Sequence, residues 1–183
     1  MSASRARADL ILVDADDRVL GYLDKARCHD GAGKLHRAFS VFLYDASGRT
    51  LLQQRGRQKR LWPGYWSNSC CSHPRRGERT LAAARRRVKE ELGVSAPALR
   101  FAYKFIYHAR YRNSGAEHEL CYVYVGRLGP RAIARLAPDP SEITALKWLS
   151  RAAIDAKVDS PRSRVTPWLR LEWRTLPRPD IWP

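Results

Sequence analysis

Apolar and polar positions alternate, or run apolar without a break, in several short stretches of this chain, and turn-forming residues close each one. Leu10 to Val13 and Arg18 to Leu23 predict two short strands around the turn Asp14 to Asp17, an opening hairpin. His36 to Tyr44 is apolar and rich in β-forming residues, Asp45-Ala46-Ser47-Gly48 is turn chemistry, and Thr50 to Gln54 predicts the next strand. From Arg55 to Pro74 the period disappears. Two tryptophans, two prolines and two glycines there predict a long loop, and a loop of that length inside a domain points to function. Glu78 to Leu92 predicts a helix rich in alanine, leucine and arginine, with Thr80 as its N-cap and Gly93 as its stop. Leu99 to Tyr111 predicts a strand, Asn113-Ser114-Gly115 a turn, and Glu119 to Arg127 the antiparallel partner. Ile143 to Leu149 reads as a further strand, Arg151 to Lys157 as a short helix and Pro167 to Trp173 as the start of a last one. Residues 1–8 are expected to be a flexible N-terminus and Leu176 to Pro183 an irregular, proline-rich tail.

Strands outnumber helices and neighbouring strands read as antiparallel pairs. That favours an α+β fold, an α/β/α sandwich with a mixed sheet flanked by helices, over a doubly wound parallel sheet. The 183 residues are 44% hydrophobic, enough for a real core, and no linker-like stretch divides them, so residues 1–183 are expected to form a single domain. No apolar run approaches the roughly 18 to 20 residues that span a bilayer, and the N-terminus lacks the apolar core of a secretory signal. The cysteines are Cys28, Cys70, Cys71 and Cys121. Adjacent cysteines are poorly placed to bond each other, because a disulfide sets Cα atoms about 5.5 Å apart. Free thiols in a reducing compartment, and hence a cytoplasmic protein with no membrane partner, are the expectation.

A net charge of +16 raises the question of nucleic acid. The excess is spread along the chain, from Arg5 and Arg7 through Arg85 to Arg87 and on to Arg162 and Arg164. Zinc-finger spacing and an aromatic RNA-binding motif are both missing, which argues against that partner. A generally basic solvated surface is the plainer account, and a field that gathers a small polyanion is the functional one. No obligate protein partner is evident.

Chemistry concentrates in Ser67-Asn68-Ser69-Cys70-Cys71-Ser72-His73-Pro74, ahead of a helix that closes on Glu90-Glu91-Leu92-Gly93. On that helix Arg87, Glu90 and Glu91 stand at i, i+3 and i+4 and share a face. Glu117 and Glu119, two apart, point to one side if their strand begins there. With His29, His36 and His73 they make a mixed nitrogen and oxygen donor set suited to Zn2+ or Mn2+. Taken singly, each is ordinary: a lone cysteine is usually a small buried hydrophobe, a strand tyrosine a core aromatic, a helix arginine a solvated partner of glutamate.

Taken together, they resemble the type 1 isopentenyl-diphosphate isomerases of the Nudix superfamily, over roughly Leu10 to Trp173. The resemblance runs through His29, Lys34-Leu35-His36-Arg37-Ala38-Phe39-Ser40, Gln54-Arg55 and Leu61-Trp62-Pro63-Gly64-Tyr65-Trp66, and on through the cysteine segment to His73-Pro74. It continues in Glu91-Leu92-Gly93, Glu117-His118-Glu119 and Thr166-Pro167-Trp168. The Nudix box is matched at Glu78, Arg86, Val88, Glu90, Glu91, Gly93 and Val94, and departed from at Ser72, where it opens with glycine, and at Arg87, where it has a glutamate. Losing that glutamate removes a carboxylate from the helix that gathers divalent ions in the pyrophosphate hydrolases of the superfamily. A Nudix-type pyrophosphate hydrolase is therefore the second reading, and a nucleic-acid-binding module the third.

The resemblance implies a Nudix-like mixed sheet and conversion of isopentenyl diphosphate to dimethylallyl diphosphate through a tertiary carbocation, in isoprenoid biosynthesis. It implies Cys71 and Glu119, assisted by Tyr107, as the proton-transfer pair. His29, His36, His73, Glu117 and Glu119 become the ligands of Mn2+ or Zn2+, and Glu91 a ligand of a Mg2+ that bridges to the diphosphate. Lys25, Arg55, Lys59 and Arg87 are the implied diphosphate contacts, with Trp168 capping the hydrocarbon end.

Overall fold

The computed structural model describes residues 9–176. The expected flexible N-terminus, and all of the expected tail beyond Leu176, lie outside the described residues. Among the described residues nine strands join one mixed sheet: β1 (Asp9–Val13), β2 (Val19–Asp24), β3 (His36–Tyr44), β4 (Thr50–Arg55), β5 (Trp66–Ser67), β6 (Cys70–Ser72), β7 (Arg100–Arg110), β8 (Ala116–Arg127) and β9 (Ile143–Leu149). The helices are α1 (Lys25–Cys28), α2 (Thr80–Leu92), α3 (Pro130–Ile133), α4 (Arg151–Asp159) and α5 (Pro167–Thr175). Among the described residues no helix is long and apolar enough to cross a membrane.

The centre of the sheet is β3, and its near-continuous apolar sequence follows from cover on both faces. Phe39, Val41 and Leu43 pack with Ala83, Ala84, Val88 and Leu92 of α2. Phe42 and Tyr44, pointing the other way, pack with Ile154 and Val158 of α4 and Leu169 and Trp173 of α5. The expected α/β/α sandwich is thereby met. On one side β3 pairs with β8 in parallel over nine positions, His36 opposite Glu119 through Tyr44 opposite Arg127. On its other side β3 meets β1 at His36, β6 at Phe39 to Val41 and β4 at Tyr44, all antiparallel. The hairpins β1–β2 and β7–β8 form as the alternation predicts.

Four expectations need correction. Arg55 to Pro74 is not all loop, because Trp66–Ser67 and Cys70–Ser72 pair with β4 and β3. α2 begins at Thr80, not Glu78, and Thr80 is no N-cap: its hydroxyl is 2.6 Å from the Tyr124 hydroxyl, and the capping position falls to Arg79 without a side-chain bond. Glu78 instead accepts from the Arg75 backbone and pairs with Arg86. The strand expected from Glu119 starts at Ala116, which puts Glu117 on it, and the short helices α1 and α3 had no sequence forecast. Gly93 does stop α2, at φ 73°, a left-handed conformation natural to glycine. Ser72, in place of the box glycine, is the last residue of β6 and pairs with Phe39, an extended position that serine occupies without strain.

Candidate active site

Register places the site. In the row His36 (β3), Glu119 (β8), Tyr107 (β7), neighbours are direct cross-strand partners, so the three side chains share one face. Ser40 is on that face of β3 two pairs further along, and its antiparallel partner is Cys71 of β6. Trp168, in the first turn of α5, packs on the same face beside Ala38, Tyr107, Cys121 and Trp62. Strand pairing thus gathers groups that lie more than 80 residues apart in the chain. Of these, Cys71, Tyr107, Glu119 and Trp168 line a cavity of about 560 Å3, whose walls also include Lys25, His29, Arg55, Lys59, His73, Arg87, Glu117 and Glu142.

At one end, His29, His36, His73, Glu117 and Glu119 present ligand atoms that all lie within 4.8 Å of one another. Ligands on opposite sides of a Zn2+ or Mn2+ ion are about 4.2 Å apart, so this spacing matches one ion at the centre. The side chains are at most 10% exposed. His29 Nδ1 lies 2.6 Å from the Lys25 carbonyl and His36 Nδ1 2.7 Å from the Lys34 carbonyl. Those bonds put the proton on Nδ1 and leave a lone pair on Nε2. His29 Nε2 then faces Glu117 Oε2 at 2.7 Å, and His36 Nε2 faces Glu119 Oε1 at 3.7 Å. Both Glu117 Oε2 and His36 Nε2 are buried without a hydrogen bond. Lone pairs aimed at lone pairs in a buried space call for a cation between them, so the donor set fits a divalent ion.

Glu119 belongs to a second group as well. Its Oε1 is 2.9 Å from His73 Nε2, and its Oε2 accepts from the Tyr107 hydroxyl at 2.7 Å. Burial works against its charge, and the Tyr107 hydroxyl, donating to Oε2, works for it. Burial pushes the Cys71 thiol up to about 12 despite the nearby Arg55, and pushes the Tyr107 hydroxyl well above its ordinary value. Cys71 Sγ has Arg55 Nη1 and Ser67 Oγ at 3.8 Å each. Arg55 is itself fixed, donating to the Trp62 and Leu61 carbonyls and lying over the Trp168 ring at 5.0 Å. Trp168 is 3% exposed, and its indole N–H donates to Ser67 Oγ at 2.9 Å, which sets the angle of the ring.

Cations line the same cavity. Lys59 pairs with Glu142, and Arg87 reaches Glu91 at 2.6 Å and Glu142 at 3.2 Å. Lys25, the first residue of α1, lines the cavity, where desolvation and the nearby Lys59 lower its pKa. Glu142 is held at about 2: burial opposes its charge, and Lys59 and Arg87 overcome that opposition. Glu91, 2% exposed, is outside the histidine cluster and is held by Arg87, with a 3.4 Å bond from Gln53 on its Oε2. The structure therefore brings the predicted residues together, with Glu91 joined to Arg87 and outside the histidine cluster. The sequence does not single out Glu142, an acid three residues after Asp139 and just ahead of the strand Ile143 to Leu149. Ser67, which orients Trp168, has no role that its sequence context assigns.

The NUDIX domain family matches residues 34–169, and the chain belongs to the Nudix family. A Deinococcus radiodurans crystal structure shares the fold with a TM-score of 0.74, at 22% identity over 91% of this chain and 98% of that one. Within that class the chain belongs to the isopentenyl-diphosphate Delta-isomerases. Isopentenyl-diphosphate Delta-isomerase 1 of Photorhabdus laumondii is 38% identical over 90% of this chain and 92% of its own length. The isopentenyl-diphosphate Delta-isomerase of Burkholderia multivorans is 43% identical over 87% of both chains.

Proposed function

We propose that this protein isomerises isopentenyl diphosphate to dimethylallyl diphosphate, as the names of its relatives indicate for them. The observation that carries the proposal is the position of Glu119. It is a member of the buried metal-type cluster and is hydrogen-bonded to Tyr107, in a cavity whose wall also holds Cys71.

The reaction adds a proton to the terminal alkene carbon and removes one from the carbon nearer the diphosphate. Lys25, Arg55, Lys59 and Arg87 take the diphosphate, arginine with a fork matched to phosphate oxygens and lysine with a compact charge. The alkene then lies between Cys71 and Glu119. One gives a proton and the other takes one, and because the reaction is reversible each is acid in one direction and base in the other. Tyr107, donating to Glu119 Oε2, keeps that carboxyl aimed across the cavity. The face of Trp168 stabilises the tertiary carbocation by about 2 kcal/mol in so desolvated a place. His29, His36, His73, Glu117 and Glu119 would hold Mn2+ or Zn2+, which when bound supplies positive charge that fixes Glu119 as an oriented carboxylate. Glu91 would contribute a carboxylate oxygen to a Mg2+ that would arrive with the diphosphate, the usual arrangement of one carboxylate plus substrate phosphates.

A pyrophosphate hydrolase is the competing reading, and Arg87 tells against it. Incubation with isopentenyl diphosphate and Mg2+ should give dimethylallyl diphosphate with little release of phosphate or pyrophosphate. Hydrolysis of nucleoside diphosphate compounds without an allylic product would favour the hydrolase. The Arg87→Glu variant restores the box glutamate but keeps this pocket and Cys71. It is expected to raise KM about tenfold or more by losing a phosphate ligand, without efficient phosphate release. A colorimetric phosphate assay beside product chromatography checks both halves.

A further inference from the structure

Glu142 is an acid placed among the very cations that are to receive an anion. Its carboxylate bridges Lys59, through Oε2, and Arg87 Nη2, through Oε1 at 3.2 Å, and its side chain is only 12% exposed. These contacts join three separate segments. Gly56 N donates to the Glu142 carbonyl at 2.7 Å, and a Cβ at Gly56 would lie 2.9 Å from the Ser141 carbonyl oxygen, so the Lys59 turn is pressed directly on the Glu142 loop. Lys59 N in turn donates to the Gly56 carbonyl at 3.2 Å, closing that turn. On the other side Asp139 N donates to the Glu91 carbonyl at 2.9 Å, hanging the same loop on the end of α2, which carries Arg87. Main-chain bonds therefore fix where Glu142 stands relative to both cations.

We propose that Glu142 is a positioning residue of the diphosphate cradle, a carboxylate that holds Lys59 and Arg87 at a fixed spacing for the anion to bridge. This role rests on the diphosphate site proposed above. Without Glu142, Arg87 has two other carboxylates within reach, Glu90 at 2.9 Å and Glu91 at 2.6 Å, and would fold back along α2. Lys59 would lose its anchor, and Lys25, Lys59 and Arg87 would repel one another with less negative charge between them. A plain electrostatic view makes the opposite forecast: removing an acid from beside an anion site should tighten the site. The two views differ in sign.

Glu142→Gln keeps the shape and removes the charge, and Glu142→Asp keeps the charge but shortens the reach. For Glu142→Gln the expected results are a KM for isopentenyl diphosphate about tenfold higher or more, a smaller change in kcat, and a parallel loss of affinity for inorganic pyrophosphate in calorimetry with Mg2+. Glu142→Asp should show a weaker version of the same loss, since it cannot reach both cations. Unchanged or tighter pyrophosphate binding by Glu142→Gln would overturn the proposal. If thermal melting shows that variant unfolded, Glu142→Asp decides: reduced affinity supports the proposal and wild-type affinity overturns it. Pyrophosphate binding needs no turnover, so a wild type that binds pyrophosphate without isomerising would count against the isomerase alone.

Discussion

Replacing Cys71 with alanine, or Glu119 with glutamine, is expected to lower turnover about 10³-fold or more while inorganic pyrophosphate still binds. General acid or base catalysis contributes roughly 10² to 10⁴-fold, and here both proton transfers depend on the pair, with water held out by Trp168, Tyr107 and Trp62. A 10³-fold loss corresponds to about 4 kcal/mol of transition-state stabilisation. Each group is placed without the other's help: Cys71 by the pairing of β6 with β3, Glu119 by its Tyr107 and His73 contacts. Either single variant should therefore keep the fold. The split between kcat and binding is the informative readout, because Lys25, Lys59 and Arg87 can still hold pyrophosphate when Cys71 or Glu119 is replaced. Cys71→Ala turning over normally would remove Cys71 from proton transfer.

Stripping divalent ions is expected to abolish turnover, and His36→Ala to weaken binding of the tighter ion by about 10²-fold or more. The basis is the stereochemistry of the cluster. Nδ1 of both His29 and His36 is committed to a main-chain carbonyl, so each Nε2 offers a lone pair to a carboxylate that offers the same. That arrangement is costly in a buried space without a cation, and a bound ion should also raise the melting temperature, since it binds the folded chain preferentially. Dialysis against a strong chelator, metal analysis and a thermal melt with and without added Mn2+ or Zn2+ measure each part. Full activity of metal-free protein in chelator would refute the cluster's assigned role.

Much of this site was legible because its chemistry sits in contiguous motifs. Cys71 and His73 lie two apart ahead of a well-marked helix, and Gly93 could be recognised as a stop from its type and place alone. The parallel pairing of β3 with β8 was not legible. It joins segments about 80 residues apart, and nothing in either strand's alternation distinguishes a parallel from an antiparallel neighbour. Ser67 and Cys70 belong to strands of two and three residues, too short to show any period, so the segment around them read as loop. Thr80 had the right type for a cap and went instead to Tyr124, a partner 44 residues away that local sequence does not announce. Glu142 was missed for the same reason, since its meaning comes from Lys59 and Arg87, each more than 50 residues distant.

Solvent labelling tests the central claim most directly. The protein is incubated with isopentenyl diphosphate and Mg2+ in deuterated water, and the product is examined by mass spectrometry and NMR. Proton transfer through Cys71 and Glu119 predicts dimethylallyl diphosphate carrying solvent deuterium in the methyl group made by protonation, with a proton lost from the carbon nearer the diphosphate. Allylic product formed without solvent label, or released pyrophosphate in place of allylic product, would contradict it.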